Sequence, residues 1–292
     1  MISVPPRHLA MLLGIAFLWG LNLVVSRLGL AEVAPMLYTL LRVLIVGTVL
    51  LPWLKPARGQ MNALIVAALL SGGLNFALLF IGLSLASNVS SVAIASQLGV
   101  PMTTLLSIAL LGEQVRWRRW TGIALSFAGV LILGLDAQVF ARGTSLTLVV
   151  LSAFVGALGI IAIKKLRNVE PLQLQAWMAW TSAPVLCLLT VLFEHTRFDS
   201  FAHIGKIGWG AILYSAVAAT LIAHTSFFWL VQRHPVNSIA PLTVLSPVFS
   251  VMLGVIVLHD QLSPRIAVGG LITLTGVVIV SLRERRMIDT GS

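Results

Sequence analysis

The sequence predicts an all-α integral membrane protein in which ten transmembrane helices form two inverted five-helix repeats, with the N- and C-termini in the cytoplasm. Composition is the first observation behind this prediction. Hydrophobic residues make up 58% of the chain and charged residues 10%, whereas soluble domains average about 45–50% and about 25%. The second observation is a series of apolar runs long enough to cross a bilayer, and the third is an internal repeat.

Ten apolar runs divide the chain, with turn residues or charges between them. A helix needs roughly 20 predominantly apolar residues to cross about 30 Å of hydrocarbon, and each run comes near that length. Because the runs account for nearly the whole chain, no separate soluble domain is expected. The predicted spans are residues 9–26, 36–53, 63–85, 89–111, 117–135, 146–163, 172–193, 207–231, 236–258 and 264–282.

The loops predict the orientation. Most of the 19 Lys and Arg residues fall in loops on the side of the N-terminus, and few fall on the opposite side. Short cytoplasmic loops carry such an excess of basic residues in membrane proteins. With an even number of spans, both termini are therefore expected in the cytoplasm.

The repeat is visible when the chain is shifted by 147 residues. Glu113, at the end of the fourth span, then aligns with Asp260, at the end of the ninth, and each is followed by Gln. A unit of five helices is odd, so its second copy must enter the membrane from the opposite side. The sequence therefore predicts two domains, residues 1–143 and residues 144–292, related by inversion.

Two features recur at this shift and have structural explanations. Glu113 and Asp260 precede the fifth and tenth spans, where a carboxylate can cap free N–H groups and meet the positive end of the helix dipole. A gate-latching role for both is the alternative. Gly122 and Gly129 align with Gly269 and Gly276, and seven-residue spacing places each pair on one helix face, where a neighbour can pack closely.

These motifs resemble the drug/metabolite transporter superfamily, in its ten-helix exporter branch of the EamA type. The resemblance covers essentially the whole chain. Two departures from the family pattern are Asp260, where Glu is usual, and Pro101, which lies one position off the register of Pro247. The motifs are "FLWGLN" from Phe17, Arg42 in the second span, "LLGEQV" with "GIALSFAGVLIL", and "LSPVFSVMLGVIVLHDQL" with "GGLITLTGVVIV".

The resemblance implies a secondary transporter, most similar to exporters of aromatic and neutral amino acids, with a cavity lined by helices one, three, four, six, eight and nine. Repeat symmetry places a site near the bilayer midplane, where irregular helix segments are expected. Since proline and glycine weaken helices, the predicted breakpoints are Gly72–Gly73, Pro101, Gly156, Gly159, Pro241 and Pro247.

Arg42 and His224 are the basic side chains that fall well inside predicted spans, away from the span ends. A buried Arg costs about 3 kcal/mol or more at the centre of a membrane helix, so each residue is a functional hypothesis. Arg42 has a structural or gating interpretation, because it can extend toward the outer interface, and an alternative one as a contact for a substrate carboxylate. His224 is either a hydrogen-bonded core residue or a cavity residue that responds to protons.

Polar and aromatic residues of the spans complete the predicted substrate site. Amides offer both a donor and an acceptor to a zwitterion, and aromatic walls suit an apolar pocket with few polar anchors. The predicted substrate-binding residues are Trp19, Asn22, Asn75, Phe76, Phe80, Ser96, Gln97, Gly156, His224, Phe228, Thr243 and Ser246, and the predicted structural or gating residues are Arg42, Glu113, Asp260, Pro101 and Pro247.

The sequence also argues against several classes of function. No Asp or Glu falls within a predicted span, which disfavours a carboxylate proton relay and a site for cationic drugs. No metal-binding or nucleophile motif is present, so neither a cofactor nor a metal is expected, and basic residues in short loops do not indicate nucleic acid binding. An intramembrane enzyme, a channel and a scaffold are the competing hypotheses.

The predicted function is export of small neutral or zwitterionic metabolites, amino acids above all, across the inner membrane by alternating access. The alternative is transport of purines, sugars or drugs by the same fold. The expected partners are a small-molecule substrate and the lipid bilayer, and the sequence leaves open whether the protein is a monomer or a homodimer.

Overall fold

The computed structural model describes residues 5–112, 114–115, 117–194, 201, 203–231 and 244–281. Within these residues the fold is entirely helical and contains no strand. The main helices are α1 (Pro6–Gly29), α2 (Pro35–Val49), α3 (Met61–Leu85), α4 (Val89–Leu111), α5 (Trp117–Gly134), α6 (Gly143–Lys164), α7 (Pro171–Phe193), α8 (Lys206–Leu213, Tyr214–His224 and Thr225–Val231), α9 (Leu245–Leu258) and α10 (Pro264–Ser281).

Seven of these helices, namely α1, α3, α4, α6, α7, α8 and α10, are long and apolar enough to cross a membrane, and α2 and α9 are shorter apolar helices. The all-helical membrane class is therefore confirmed. The count of ten crossings stays a prediction for α2, α5 and α9. The predicted start of the ninth span, residue 236, lies outside the described residues.

Local sequence signals account for many of the helix ends. Pro6, Pro35 and Pro171 stand in the first turns of α1, α2 and α7, where a missing N–H costs no hydrogen bond. Gly112 and His259 end α4 and α9 in the left-handed region, with φ of 69° and 55°. Glycine adopts that conformation without strain, whereas His259 is an unusual residue for it.

The helices of one half pack mainly on those of the other. α5 packs along α10, α2 along α7, α3 along α6 and α7, α4 along α6 and α9, and α1 along α8 and α9. The predicted glycine contacts are confirmed, because a Cβ on Gly122 would lie 2.9 Å from the carbonyl oxygen of Gly276, and one on Gly129 would lie 2.5 Å from that of Gly269. Helix backbones approach this closely only where side chains are absent.

Three helices depart from regular α geometry. Leu69–Leu74 in α3 and Tyr214–His224 in α8 are π-helical, and the first confirms the irregularity predicted at Gly72–Gly73. α4 is interrupted between Ser96 and Gly99. Pro101 has no N–H to donate to the carbonyl of Gln97, so the N–H of Val100 takes it instead, at 3.2 Å.

The prediction of a break in α6 was wrong, because Gly143–Lys164 is a continuous helix. Its glycines serve close packing with α3. A Cβ on Gly156 would lie 2.5 Å from Nδ2 of Asn75, and one on Gly159 would lie 2.8 Å from the backbone nitrogen of Ser71. Pro247 is the third residue of α9 and is buried, while Pro241 lies outside the described part of the chain.

Asp260 does not cap α10, so the predicted position of this contact was wrong. Its Oδ2 accepts hydrogen bonds from the backbone N–H and the hydroxyl of Ser90, both at 2.9 Å, at the start of α4. The start of α10 is occupied by Ser263, whose hydroxyl accepts from the N–H of Ile266 at 3.2 Å and donates to Asp136. Since Ser263 stands directly before Pro264, it fills the N-cap position and leaves Asp260 free to reach α4.

Two further loop carboxylates hold helix starts in the same manner. Glu194 accepts from two backbone N–H groups in the first turn of α2, both at 3.0 Å, and Glu32 accepts from two at the start of α8, at 2.8 and 3.1 Å. Each joins the two halves of the chain. Glu113, the partner of Asp260 in the repeat, lies outside the described residues.

Candidate functional site

Arg42 projects from the middle of α2 into the protein and is 3% exposed. Its Nε and Nη2 atoms donate to Oγ1 of Thr220, at 3.3 and 3.0 Å. The guanidinium carbon stands 3.9 Å from the ring centroid of Phe76, a distance at which a cation is attracted by the face of the ring. Nη1 has no hydrogen-bond partner within the part of the chain that the structure describes.

The π-helix of α8 provides the partner of Arg42. The hydroxyl of Thr220 donates to the carbonyl of Ser215, five residues earlier, at 2.8 Å, so its oxygen is left to accept from the guanidinium. A π-helix frees backbone carbonyls from their usual partners and is frequent at functional sites. The irregular segment thus orients Thr220 toward α2.

A cavity opens beside Arg42 between α2, α3, α7 and α8. The volume of this cavity is about 70 Å³. That space admits several water molecules or a small ligand group. No carboxylate occurs among the described residues that line it, which are Arg42, Val43, Val46, Gly72, Phe76, Gln175, Met178, Ala179, Thr220 and His224.

Gln175 faces this cavity from α7 and is 5% exposed. Its Oε1 atom is buried and accepts no hydrogen bond from any described residue. Gln175 and Thr220 were not predicted from the sequence. Gln175 lies on α7, which the resemblance does not place around the cavity, and a polar residue in the second turn of that helix reads as part of the membrane interface. Thr220 lies on α8, which the resemblance includes, but it was not distinguished from the other polar residues of that helix. The missed signal is the pair of glutamines, Gln173 and Gln175, in the predicted span of residues 172–193, both of which are buried in the structure.

His224 forms the end of the cavity, and Trp19 of α1 packs on it with ring centroids 4.9 Å apart. Nδ1 of His224 lies 2.7 Å from the carbonyl oxygen of Ala219, so Nδ1 carries the proton and donates. The indole N–H of Trp19 donates to the same carbonyl at 3.2 Å. Two donors therefore satisfy one carbonyl that the π-helix has exposed.

Phe80 lies behind the cavity. It is fully buried, stacks on Phe76 with centroids 6.0 Å apart and meets the ring of Tyr38 at 5.2 Å. Tyr38 is anchored by the carbonyl of Ala211, to which its hydroxyl donates at 3.1 Å. Phe80 thus supports the aromatic face that Arg42 contacts.

The other predicted site residues lie elsewhere. Asn75 donates from Nδ2 to the carbonyl of Ser152 at 2.7 Å and packs on Gly156, so these two residues join α3 to α6. Oδ1 of Asn22 is buried on α1 without a partner in the described residues. The hydroxyl of Ser96 bonds to its own helix, Gln97 marks the break in α4, and Ser246 packs against Gly20 of α1. Thr243 and the side chain of Phe228 lie outside the described structure.

The structure thus brings Phe76 and His224 of the predicted set together with Arg42, and places Trp19 in contact with His224. A bundle of apolar helices that surrounds a buried cation and a cavity between helices defines a multi-pass membrane protein built to receive a small solute.

Comparison with known proteins identifies the family. The model of the EamA-like transporter family matches residues 7–135 and 143–282, and the chain therefore belongs to this family within the drug/metabolite transporter superfamily. An uncharacterized transporter of Synechocystis sp. is 28% identical and is matched over 94% of this chain and 89% of its own. A probable amino-acid metabolite efflux pump of Escherichia coli is 26% identical, over 95% and 96%.

A solved structure described as the crystal structure of a protein has the same fold. It aligns with 97% of this chain and 99% of its own, at a TM-score of 0.66 and 20% sequence identity. Family and relatives indicate a transporter rather than an enzyme.

Proposed function

We propose that the protein is a secondary transporter that exports small neutral or zwitterionic metabolites, amino acids including aromatic ones above all, across the inner membrane. The observation that carries this proposal is the cavity beside Arg42, which combines one cation, one free amide oxygen and apolar walls. Relatives from Escherichia coli and Salmonella typhimurium bear the name probable amino-acid metabolite efflux pump. This combination favours a solute with a small polar group and an apolar remainder.

The proposed architecture is ten transmembrane helices in two inverted repeats, residues 1–143 and 144–292, with both termini in the cytoplasm. Contacts between helices support it, since α3 packs on α6 as α8 packs on α1, and α4 packs on α6 as α9 packs on α1. The left-handed residues Gly112 and His259 also stand 147 residues apart, the same shift that aligns the sequence motifs.

The proposed mechanism is alternating access, in which the two halves rearrange around a site between them. The predicted roles of Asn22, Asn75, Ser96 and the other polar residues remain part of the proposal, because a cavity that changes shape exposes different side chains in turn. None of the described helices contains an Asp or Glu, so transport without obligatory proton coupling is expected. We therefore expect the protein to work by facilitated diffusion or by weakly coupled export.

Counterflow in liposomes tests the function. Purified protein is reconstituted in vesicles loaded with one unlabelled solute, and the labelled form is added outside. The solutes are aromatic, aliphatic and hydroxyl amino acids, a sugar and a purine, and protein-free vesicles are the control. Saturable accumulation with amino acids supports the proposal. Counterflow with the sugar or the purine alone would show that the substrate is not an amino acid. Flux without saturation would indicate a channel.

A further inference from the structure

Two polar side chains that line one cavity each carry a buried atom without a hydrogen-bond partner in the described residues, and the two atoms have opposite hydrogen-bonding character. Nη1 of Arg42 is a charged donor and Oε1 of Gln175 is an acceptor, and neither has a hydrogen bond to any residue that the structure describes. Both side chains line the cavity between α2, α3, α7 and α8, with exposed fractions of 3% and 5%. Buried polar groups are normally satisfied, so such a pair requires an explanation.

No carboxylate among the described residues that line the cavity compensates the charge of Arg42. Thr220 offers a neutral oxygen, and the ring of Phe76 offers the partial negative charge of its face. A buried cation without an anionic partner is costly, and water can solvate Nη1 but cannot neutralise the charge. A carboxylate can do both, because it accepts a short, charge-assisted hydrogen bond.

Gln175, which lines the same cavity from α7, provides the complement. An amide oxygen accepts from N–H donors, and an ammonium group has three of them and no acceptor. Because Arg42 repels a ligand that is only cationic, the ammonium must arrive together with a negative group. A phosphate would want several cations, and one is present among the lining residues.

We propose that Arg42 and Gln175 hold the two ends of an α-amino acid head group, the carboxylate at Nη1 and the ammonium at Oε1. The side chain of the amino acid then lies against the apolar wall of Val43, Val46 and Met178. Thr220 is a positioning residue, because it fixes the other guanidinium nitrogens. The proposal rests on the proposed function, since it specifies the part of the solute that the protein recognises.

The ligands of the test remove one end of the head group at a time. L-leucine and L-phenylalanine are compared with their methyl esters, which lack the negative charge, and with their N-acetyl derivatives, which lack the ammonium. Binding is measured as a ligand-dependent shift of the thermal unfolding midpoint of the purified protein, and transport is measured by counterflow. The wild-type protein is expected to bind the free amino acids about 10- to 100-fold more tightly than either derivative.

The variants assign each preference to a residue. Arg42→Met is expected to lower affinity for the amino acid to that for the ester, so the ratio falls to about one, while Arg42→Lys keeps part of the preference because it keeps the charge. Gln175→Leu is expected to abolish the preference over the N-acetyl derivative. Arg58→Met and Gln138→Leu make the same chemical changes at exposed positions outside the cavity, the first in a loop and the second in the short helix Ala137–Phe140, and are expected to leave both ratios unchanged.

The outcomes separate the two proposals. Binding that follows the predicted ratios without counterflow supports the head-group site and refutes the transporter. Counterflow that treats acid and ester alike in the wild-type protein and in Arg42→Lys supports the transporter and refutes the head-group site. If Arg42→Met does not fold, Arg42→Lys and Gln175→Leu still decide the matter, and an absence of both binding and counterflow refutes both proposals.

Discussion

Replacement of Gly129 by Ala tests the close backbone contact between α5 and α10. A Cβ at this position would lie 2.5 Å from the carbonyl oxygen of Gly269 and 2.5 Å from the backbone nitrogen of Thr273, whereas ordinary contacts begin at 3.4 Å. These two neighbours are backbone atoms and cannot rotate away, although the side-chain hydroxyl of Thr273, which is also in contact, could. The methyl group can be accommodated only if α5 and α10 separate by nearly 1 Å, and we expect a loss of about 3 kcal/mol, at the upper end of the range for overpacking.

Gly14→Ala is the matched control, because a Cβ on Gly14 of α1 would have no atom within 4 Å. Alanine is favoured over glycine in a helix, so this variant is expected to be neutral or up to about 1 kcal/mol more stable. Thermal unfolding of both variants in detergent, followed by tryptophan fluorescence, measures the difference. Equal unfolding midpoints would refute the inference that backbone contact joins α5 to α10.

Two further predictions concern loop carboxylates. Asp260→Ala removes the acceptor of both hydrogen bonds from Ser90, and we expect a loss of about 2 kcal/mol; Ser90→Ala, which keeps its backbone N–H, should cost less, and equal losses in thermal unfolding would argue against the backbone bond. The hydrogen bond from Ser263 lowers the pKa of Asp136 from 3.8, so its stabilisation is complete above about pH 4 and is lost as the pH falls through the lowered value. Asp136→Asn is therefore expected to lower the unfolding midpoint at pH 7, and its difference from the wild-type protein is expected to shrink as the pH is lowered step by step below 3.8; a difference that stays constant over that series would contradict this assignment.

Much of the fold could be predicted because apolar length and turn residues act locally. An irregular segment in α3 was predicted at Gly72–Gly73 because glycine weakens a helix locally, and the structure has a π-helix there. The π-helix of α8 was not predicted, since Tyr214–His224 contains neither glycine nor proline. There the wider turn is accompanied by hydrogen bonds from Thr220 and His224 to carbonyls five residues earlier, and such pairings depend on the neighbours that α8 meets.

The site was harder to predict than the fold. Arg42 was identified because a cation in an apolar run is conspicuous, but part of its surroundings is contributed by Gln175 of α7 and Thr220 of α8, both more than 100 residues away. Gln175 resembles an interfacial residue until α2 is packed beside it. Asp260 was predicted to cap α10, the next helix along the chain. In the structure Ser263 takes the N-cap position of α10, and Asp260 binds the start of α4 instead. Nearness in the sequence is a poor guide to the partner of a loop carboxylate, because backbone N–H groups from several helices compete for it.

The carboxylate contacts between the halves have a consequence for biogenesis. The N–H groups in the first turn of α2 receive their acceptor from Glu194, more than 150 residues later, and the backbone N–H of Ser90 receives its acceptor from Asp260, 170 residues later. When the first five helices have left the ribosome, these donors still face water or lipid headgroups. The first half therefore enters the membrane unfinished, and translation of the second half completes its helix ends.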